Sequence, residues 1–274
     1  MKKSKLFSFF GEKKPIIGMV HLHALPGSPL YNGTSSWNDI LSYAVEDALN
    51  LKEGGIDGIQ IENQFDTPYL LPDKIGPETI AFLTAAACII REKCPDISLG
   101  INVHLNGSIQ AMAVAKAAGA KWIRVFNLAT GYISNSGYVD ANGPSLMRYR
   151  KQIDAEDIMV FGDFQVKHGS HAITADRSLQ EKAHDIQMSL ADAAIITGSA
   201  TGIAPGEKLL QEVNHAISIP LLVGSGVSID NIERIWPLVD GAIIGSGFKR
   251  NGNLMAPIDV DLVKKLTSMA SKLA

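Results

Sequence analysis

Cysteine is nearly missing from this 274-residue chain, with Cys88 inside an apolar helical run and Cys94 directly before Pro95, a spacing that forms neither a zinc site nor a CxxC redox pair. Two such cysteines fit a reducing, cytoplasmic setting. Long apolar runs are also absent: the longest, AFLTAAACII, ends at Arg91, well short of the ~18 residues that span a bilayer. Neither sign of charge prevails, with 25 Lys+Arg against 28 Asp+Glu and a formal net charge of -3. There is no basic stripe of the kind that grips a phosphate backbone, which argues against nucleic acid as a partner. What the chain does have is 46% hydrophobic residues and 25 glycines, the composition of one large folded domain.

Residues 1–14, MKKSKLFSFFGEKK, carry five lysines among Leu6, Phe7, Phe9 and Phe10. Their apolar core is too short for a secretory signal. They read as an N-terminal extension that caps the bottom of a barrel or joins an oligomer contact, with a peripheral membrane contact as the minority reading. Residues 15–274 read as a single domain.

Within it, short β-branched runs alternate with helical spacing. Strands are predicted at 16–22, 58–62, 99–105, 122–128, 158–166, 193–198, 220–226 and 241–247, and helices at 37–52, 77–91, 108–118, 178–190 and 231–238. Eight βα units in slightly more than ~250 residues predict an α/β fold of the (β/α)8 TIM-barrel type. A doubly wound sheet lacks its Gly-rich fingerprint after the first strand. The long segment 129–144, ATGYISNSGYVDANGP, follows the fourth strand and is expected above the barrel mouth as a lid or subunit contact.

The strands alternate in an unusual way. In VHLHALPG (20–27), His21 and His23 share one parity. Gln60 and Glu62 oppose Ile59 and Ile61, and Asn102 and His104 oppose Ile101 and Val103. Arg124 lies between Ile123 and Val125, while Asp163, Gln165 and Lys167 alternate with Phe164 and Val166. Both faces of a barrel strand are buried, so this polar parity is predicted to point inward, toward the C-terminal strand ends where barrel enzymes hold their chemistry. Unpaired buried charges cost several kcal/mol each, which requires a connected network. His21, His23, Glu62, Asn102, His104, Arg124, Asp163 and Lys167 are therefore the candidate catalytic residues. Glu62 and Asp163 are candidate bases and His21 or His23 the acid.

The late strands end differently, in TGSATG (197–202), GSG (224–226) and GSG (245–247). Glycines there let backbone N–H groups approach an anion, in the loops where many barrels of this type hold phosphate. Thr197, Gly198, Gly224, Ser225, Gly226, Gly245, Ser246 and Gly247 are the candidate phosphate-binding residues. Lys249 either neutralises that charge or is a solvated surface lysine. A metal is not required by this scheme and no cofactor is expected. A divalent ion on His21-x-His23, completed by Glu62, His104 and Asp163, stays open as a hydrolase reading.

Several long motifs, including GMVHLHALPGSPLY (18–31), DGIQIENQFDTPY (57–69), DFQVKH (163–168), LVGSGVSIDNI (222–232) and DGAIIGSGFK (240–249), make the chain resemble the BtpA family from Pro15 onward. The resemblance implies a TIM barrel akin to ribulose-phosphate-binding barrels. It also implies either a part in photosystem I biogenesis at photosynthetic membranes or an enzyme of sugar or nucleoside metabolism. Together the two lines of reading predict a cytoplasmic, homo-oligomeric enzyme acting by acid–base chemistry on a small phosphorylated sugar or nucleoside-derived compound, by isomerisation, lyase or nucleosidase chemistry. A non-catalytic assembly factor is the alternative.

Overall fold

The computed structural model describes residues 4–34 and 36–273. Eight parallel strands close into a barrel: β1 (Ile16–His21), β2 (Gly58–Glu62), β3 (Ser98–Asn102), β4 (Trp122–Val125), β7 (Met159–Gln165), β8 (Ala193–Ile196), β9 (Leu221–Val223) and β10 (Gly241–Ile244). Each strand pairs with the next in sequence, and β1 closes against β10. The two remaining strands, β5 (Tyr132–Ser134) and β6 (Gly137–Val139), form an antiparallel hairpin. The segment 129–144 is thus folded rather than a simple linker. It is fastened by the Ile133–Ser170 bridge and by Ser136 Oγ donating to the Tyr69 carbonyl at 2.7 Å.

Helices α2 (Trp37–Glu53), α3 (Pro77–Lys93), α4 (Ser108–Ala118), α5 (Gly143–Gln152), α6 (Leu179–Met188), α7 (Glu207–Ala216), α8 (Ile232–Ile235) and α9 (Val260–Lys272) follow the barrel strands. Capping boxes start two of them, Ser36 with Asp39 and Ser178 with Glu181, which satisfies backbone N–H groups that have no partner within the helix. No helix among the described residues is long and apolar enough to cross a membrane.

A repeated local device ties the strands at the barrel's N-terminal end. An aspartate directly before β2, β8 and β10 accepts the N–H of a residue near the start of the preceding strand. Asp57 takes Ile16 at 2.8 Å, Asp192 takes Val160 at 2.9 Å, and Asp240 takes Leu221 at 3.0 Å.

Two apolar layers result from the period of two. Ile59, Ile61, Ile101, Val103, Ile123 and Val125 face the helices. Ile17, Met19, Trp122, Met159, Phe161, Ile195 and Ile243 fill the interior. The indole of Trp122 lies where a Cβ on Gly100 would meet its Nε1 at 1.9 Å, and it donates to Gln60 Oε1 at 3.2 Å. Gln60 is thereby satisfied low in the barrel. Helix α1 (Lys5–Phe9), capped by Ser4, sends Leu6 into the same interior cluster together with Phe10, and so plugs the end opposite the site. Burying side chains of this size stabilises by about 1.5–3 kcal/mol each.

Candidate active site

The inward parity of the early strands ends in one cluster around Glu62, the last residue of β2. Its carboxylate is 4% exposed. Asn102 Nδ2, from the end of β3, donates to Oε2 at 2.8 Å, while His21 Nε2, from the end of β1, stands 3.2 Å from Oε1. His104 Nε2 lies 3.5 Å from Oε2, close enough for ion pairing but without hydrogen-bond alignment. Burial pushes the Glu62 carboxyl up, but His104 and His21 together outweigh it and hold it well below the usual carboxylate range. Glu62 is thus a fixed anion, not a base poised near neutrality. The groups beside it are two imidazoles, those of His21 and His104.

His104 lies beyond the end of β3 and is positioned by its neighbours. Asn63 Oδ1 accepts the His104 backbone N–H at 2.8 Å, and Asn63 Nδ2 donates to Asp66 at 3.0 Å. Tyr69 stacks on the ring at 4.4 Å between centroids, and Phe126 meets it edge-on at 4.8 Å. Both ring nitrogens of His104 lack a hydrogen-bond partner among the described residues. The ring borders a cavity of about 450 Å3 that Tyr69, Phe126, Tyr132 and Val166 also line. Asn63, Tyr69 and Tyr132 are absent from the sequence-based set. Asn63 follows Glu62 directly and Tyr69 ends the same motif, but nothing in their spacing reveals which way they face.

Arg124 and Asp163 form a buried bidentate pair with two 2.8 Å bonds. Burial pulls Arg124 down, but the Asp163 carboxylate outweighs it and holds the guanidinium charged. With both oxygens on Arg124, Asp163 is not free to act as a base. Beyond it β7 bulges between Asp163 and Gln165, which interrupts the alternation expected from sequence: Phe164 packs with the helix-facing core, but Val166 joins the apolar cluster at the barrel mouth. Lys167 follows into the cavity, where its ammonium donates to Ser225 Oγ at 3.3 Å.

Between this cavity and a second one lies a narrow throat that shares Lys167 with the first and Gly226, Ser246 and Gly247 with the second. His21, Glu62, Arg124, Lys167, Gly224, Ser225 and Gly245 line the throat. A Cβ on Gly245 would come within 2.8 Å of His21 Cε1, so glycine at that position gives the imidazole its place. The second cavity, of about 690 Å3, is bordered by Thr201, Gly202, Gly226, Ser228, Ser246 and Gly247. Gly226 has φ +71°, and a Cβ there would lie 2.1 Å from the Ala204 backbone nitrogen. Asn231 secures the same loop by accepting the Ser228 N–H at 3.0 Å and donating to the Gly226 carbonyl at 2.7 Å.

Four sequence-based expectations need correction. His23 is not with His21: β1 ends at His21, the alternation stops, and the His23 ring packs on Tyr43 of α2 at 4.7 Å. The His21-x-His23 chelate is therefore not formed, and no group of three or more His, Cys, Asp or Glu among the described residues is arranged to hold a metal. Lys249 is not a surface lysine: it borders the second cavity, but its buried ammonium is directed to Asp47 at 3.0 Å and to the carbonyls of Leu254 and Ala256 at 3.1 and 2.7 Å. Thr197 and Gly198 lie beneath the cavities: the Thr197 hydroxyl donates to the Gln165 carbonyl at 3.1 Å, and Gly198 packs against the Ile203 carbonyl. Finally, Glu62 is held as an anion between its histidines, and Asp163, whose carboxyl burial pushes up against the pull of Arg124, has both oxygens tied to that guanidinium.

A closed (β/α)8 barrel whose polar side chains converge at the C-terminal strand ends defines the TIM-barrel class. More particularly, the chain belongs to the BtpA family, whose model matches residues 12–272. An uncharacterised protein of Archaeoglobus fulgidus is 38% identical over 261 residues, covering 94% of this chain and 99% of its own. The photosystem I biogenesis protein BtpA of Synechocystis sp. is 34% identical over 259 residues, covering 93% of this chain and 87% of its own. Among solved structures, thiamine phosphate pyrophosphorylase from Pyrococcus furiosus matches with a TM-score of 0.59 at 14% identity, over 97% of this chain and 98% of that one, a likeness of fold alone.

Proposed function

We propose that the protein is an enzyme that transfers protons on a small phosphorylated sugar or nucleoside-derived substrate. In this reading the phosphate lies in the lobe bordered by Gly226, Ser246 and Gly247, and the reacting end lies over the throat. His104 exchanges the proton, Glu62 fixes the charge behind it, and His21 serves on the other carboxylate oxygen. The observation that carries the reading is the Glu62 carboxylate buried between two imidazoles, with a glycine-lined lobe next to it. A purely structural role would leave that much desolvated charge without a purpose.

Thermal unfolding with inorganic phosphate, ribose 5-phosphate and ribose tests the reading. A ligand at about 100 times its dissociation constant adds about 2.7 kcal/mol. Both phosphorylated probes should raise the unfolding temperature, ribose should not, and Gly226→Ala should lose the effect. Equal responses to ribose and ribose 5-phosphate would remove the anion lobe from the proposal. The name of the Synechocystis relative suggests a non-catalytic assembly role instead. Full function in cells of a chain carrying both Glu62→Gln and His104→Gln would favour that role.

A further inference from the structure

Lys249 and Lys167 both lie near the C-terminal strand ends, and they are treated in opposite ways. The ammonium of Lys249 has three acceptors, one of them the Asp47 carboxylate. That of Lys167 has one hydroxyl at 3.3 Å, and among the described residues it forms no ion pair. Lys167 is half-buried, and an ammonium there with so little compensation is disfavoured relative to the amine it becomes on losing a proton.

The groups facing Lys167 act in the same direction on balance. Burial lowers its pKa first, and the Arg124 guanidinium on β4 adds to that; Glu62 on β2 and Asp163 on β7 oppose them. His168, the next residue, is itself lowered by burial and by Lys167, which suits its Nε2 accepting the Thr201 N–H at 3.3 Å. Lys167 also borders both the aromatic cavity and the throat, so its amine faces any ligand that spans the two.

We propose that Lys167 is a nucleophile that forms an imine with an aldehyde or ketone carbonyl of the substrate. The ammonium first gives a proton to a neighbouring base, for which the imidazole of His21, lining the throat, and that of His104, lining the cavity, are available. The Nζ lone pair then adds to the carbonyl carbon, and its oxygen takes up a proton. The base then carries one proton from the nitrogen to that hydroxyl, so that the C–O bond breaks, the oxygen leaves as water, and a protonated C=N bond to Nζ remains. The net change exchanges the carbonyl oxygen for nitrogen and releases one water, with no oxidant or reductant. Such an iminium draws electrons from the adjacent carbon, which is the carbon that an isomerase or lyase must deprotonate or cleave.

This inference rests on the phosphate reading of the cleft for the anchoring of its substrate, and the experiment separates the two. The full-length protein is treated near pH 7 with limiting pyridoxal 5'-phosphate or with pyridoxal, reduced with borohydride, and mapped by peptide mass spectrometry. Lys167 should be labelled about tenfold faster than any other lysine. The site should be silent in Lys167→Met and in Lys167→Arg, which keeps the charge but cannot form the imine, with folding of both checked by circular dichroism. Inorganic phosphate should slow labelling by the phosphorylated aldehyde. Equal labelling of Lys167 by both aldehydes, unaffected by phosphate, would uphold the nucleophile and sink the anion lobe. Labelling of Lys167 no faster than of surface lysines, in protein that inorganic phosphate does stabilise, would overturn the nucleophile and leave the lobe standing.

Discussion

His21 Nε2 lies 3.2 Å from Glu62 Oε1, so a nearly buried carboxylate meets an imidazole from the neighbouring strand. The pair exists because His21 and Glu62 are Cα partners in the β1–β2 ladder, each the last residue of its strand. Parallel pairing places both side chains on the inner face at the same height.

The depressed Glu62 ionisation makes stability depend on pH. Because its folded value lies below its unfolded one, the contribution is fully present above about pH 4.5, the ordinary glutamate value, and is lost as pH falls through the folded value. Glu62→Gln should therefore lose less stability than the wild type between neutral pH and pH about 3. Urea unfolding midpoints across that range check this, and identical slopes for the two proteins would contradict it.

Arg124→Met should be severe. It leaves the fully buried Asp163 side chain without its guanidinium, at a cost of about 3–5 kcal/mol. Adding Asp163→Leu should recover most of that loss, since an apolar pair avoids the desolvation of either ion. A double-mutant cycle in urea measures the coupling, and additive effects would show that the two side chains do not act as a unit.

Lys249→Met separates a structural lysine from a ligand-binding one. The variant leaves the buried Asp47 with the Ile258 N–H but without its counter-ion, which should destabilise the protein by about 3–5 kcal/mol while leaving its affinity for inorganic phosphate unchanged. Isothermal titration with phosphate decides the matter. A tenfold weaker affinity would return Lys249 to the anion site.

Much of the barrel was legible because period-two alternation and βα spacing are local. The strand predicted at 58–62 and the helix at 108–118 agree with β2 and α4 residue for residue, and the other strands differ mainly at their C-terminal ends. Those ends are where the errors lie. The last bond of the β1–β2 ladder is Leu22 N–H to the Glu62 carbonyl, and carrying the alternation beyond it misplaced His23. His104 still reaches Glu62, but through a turn held by Asn63 and not through strand geometry. The bulge in β7 left no mark in the sequence, since one inserted residue changes neither composition nor the run of apolar residues.

By itself the sequence determined the architecture and which chemical groups were available, since hydrophobic periodicity, aspartates before strands and glycines after them act within a few residues. Only the tertiary structure decided which of those groups meet. Glu62, His21 and His104 converge through closure of a barrel, Lys249 finds Asp47 on a distant helix, and Lys167 is left nearly alone. Electrostatic partnership depends on distances and burial between segments far apart in the chain, and no local pattern encodes them.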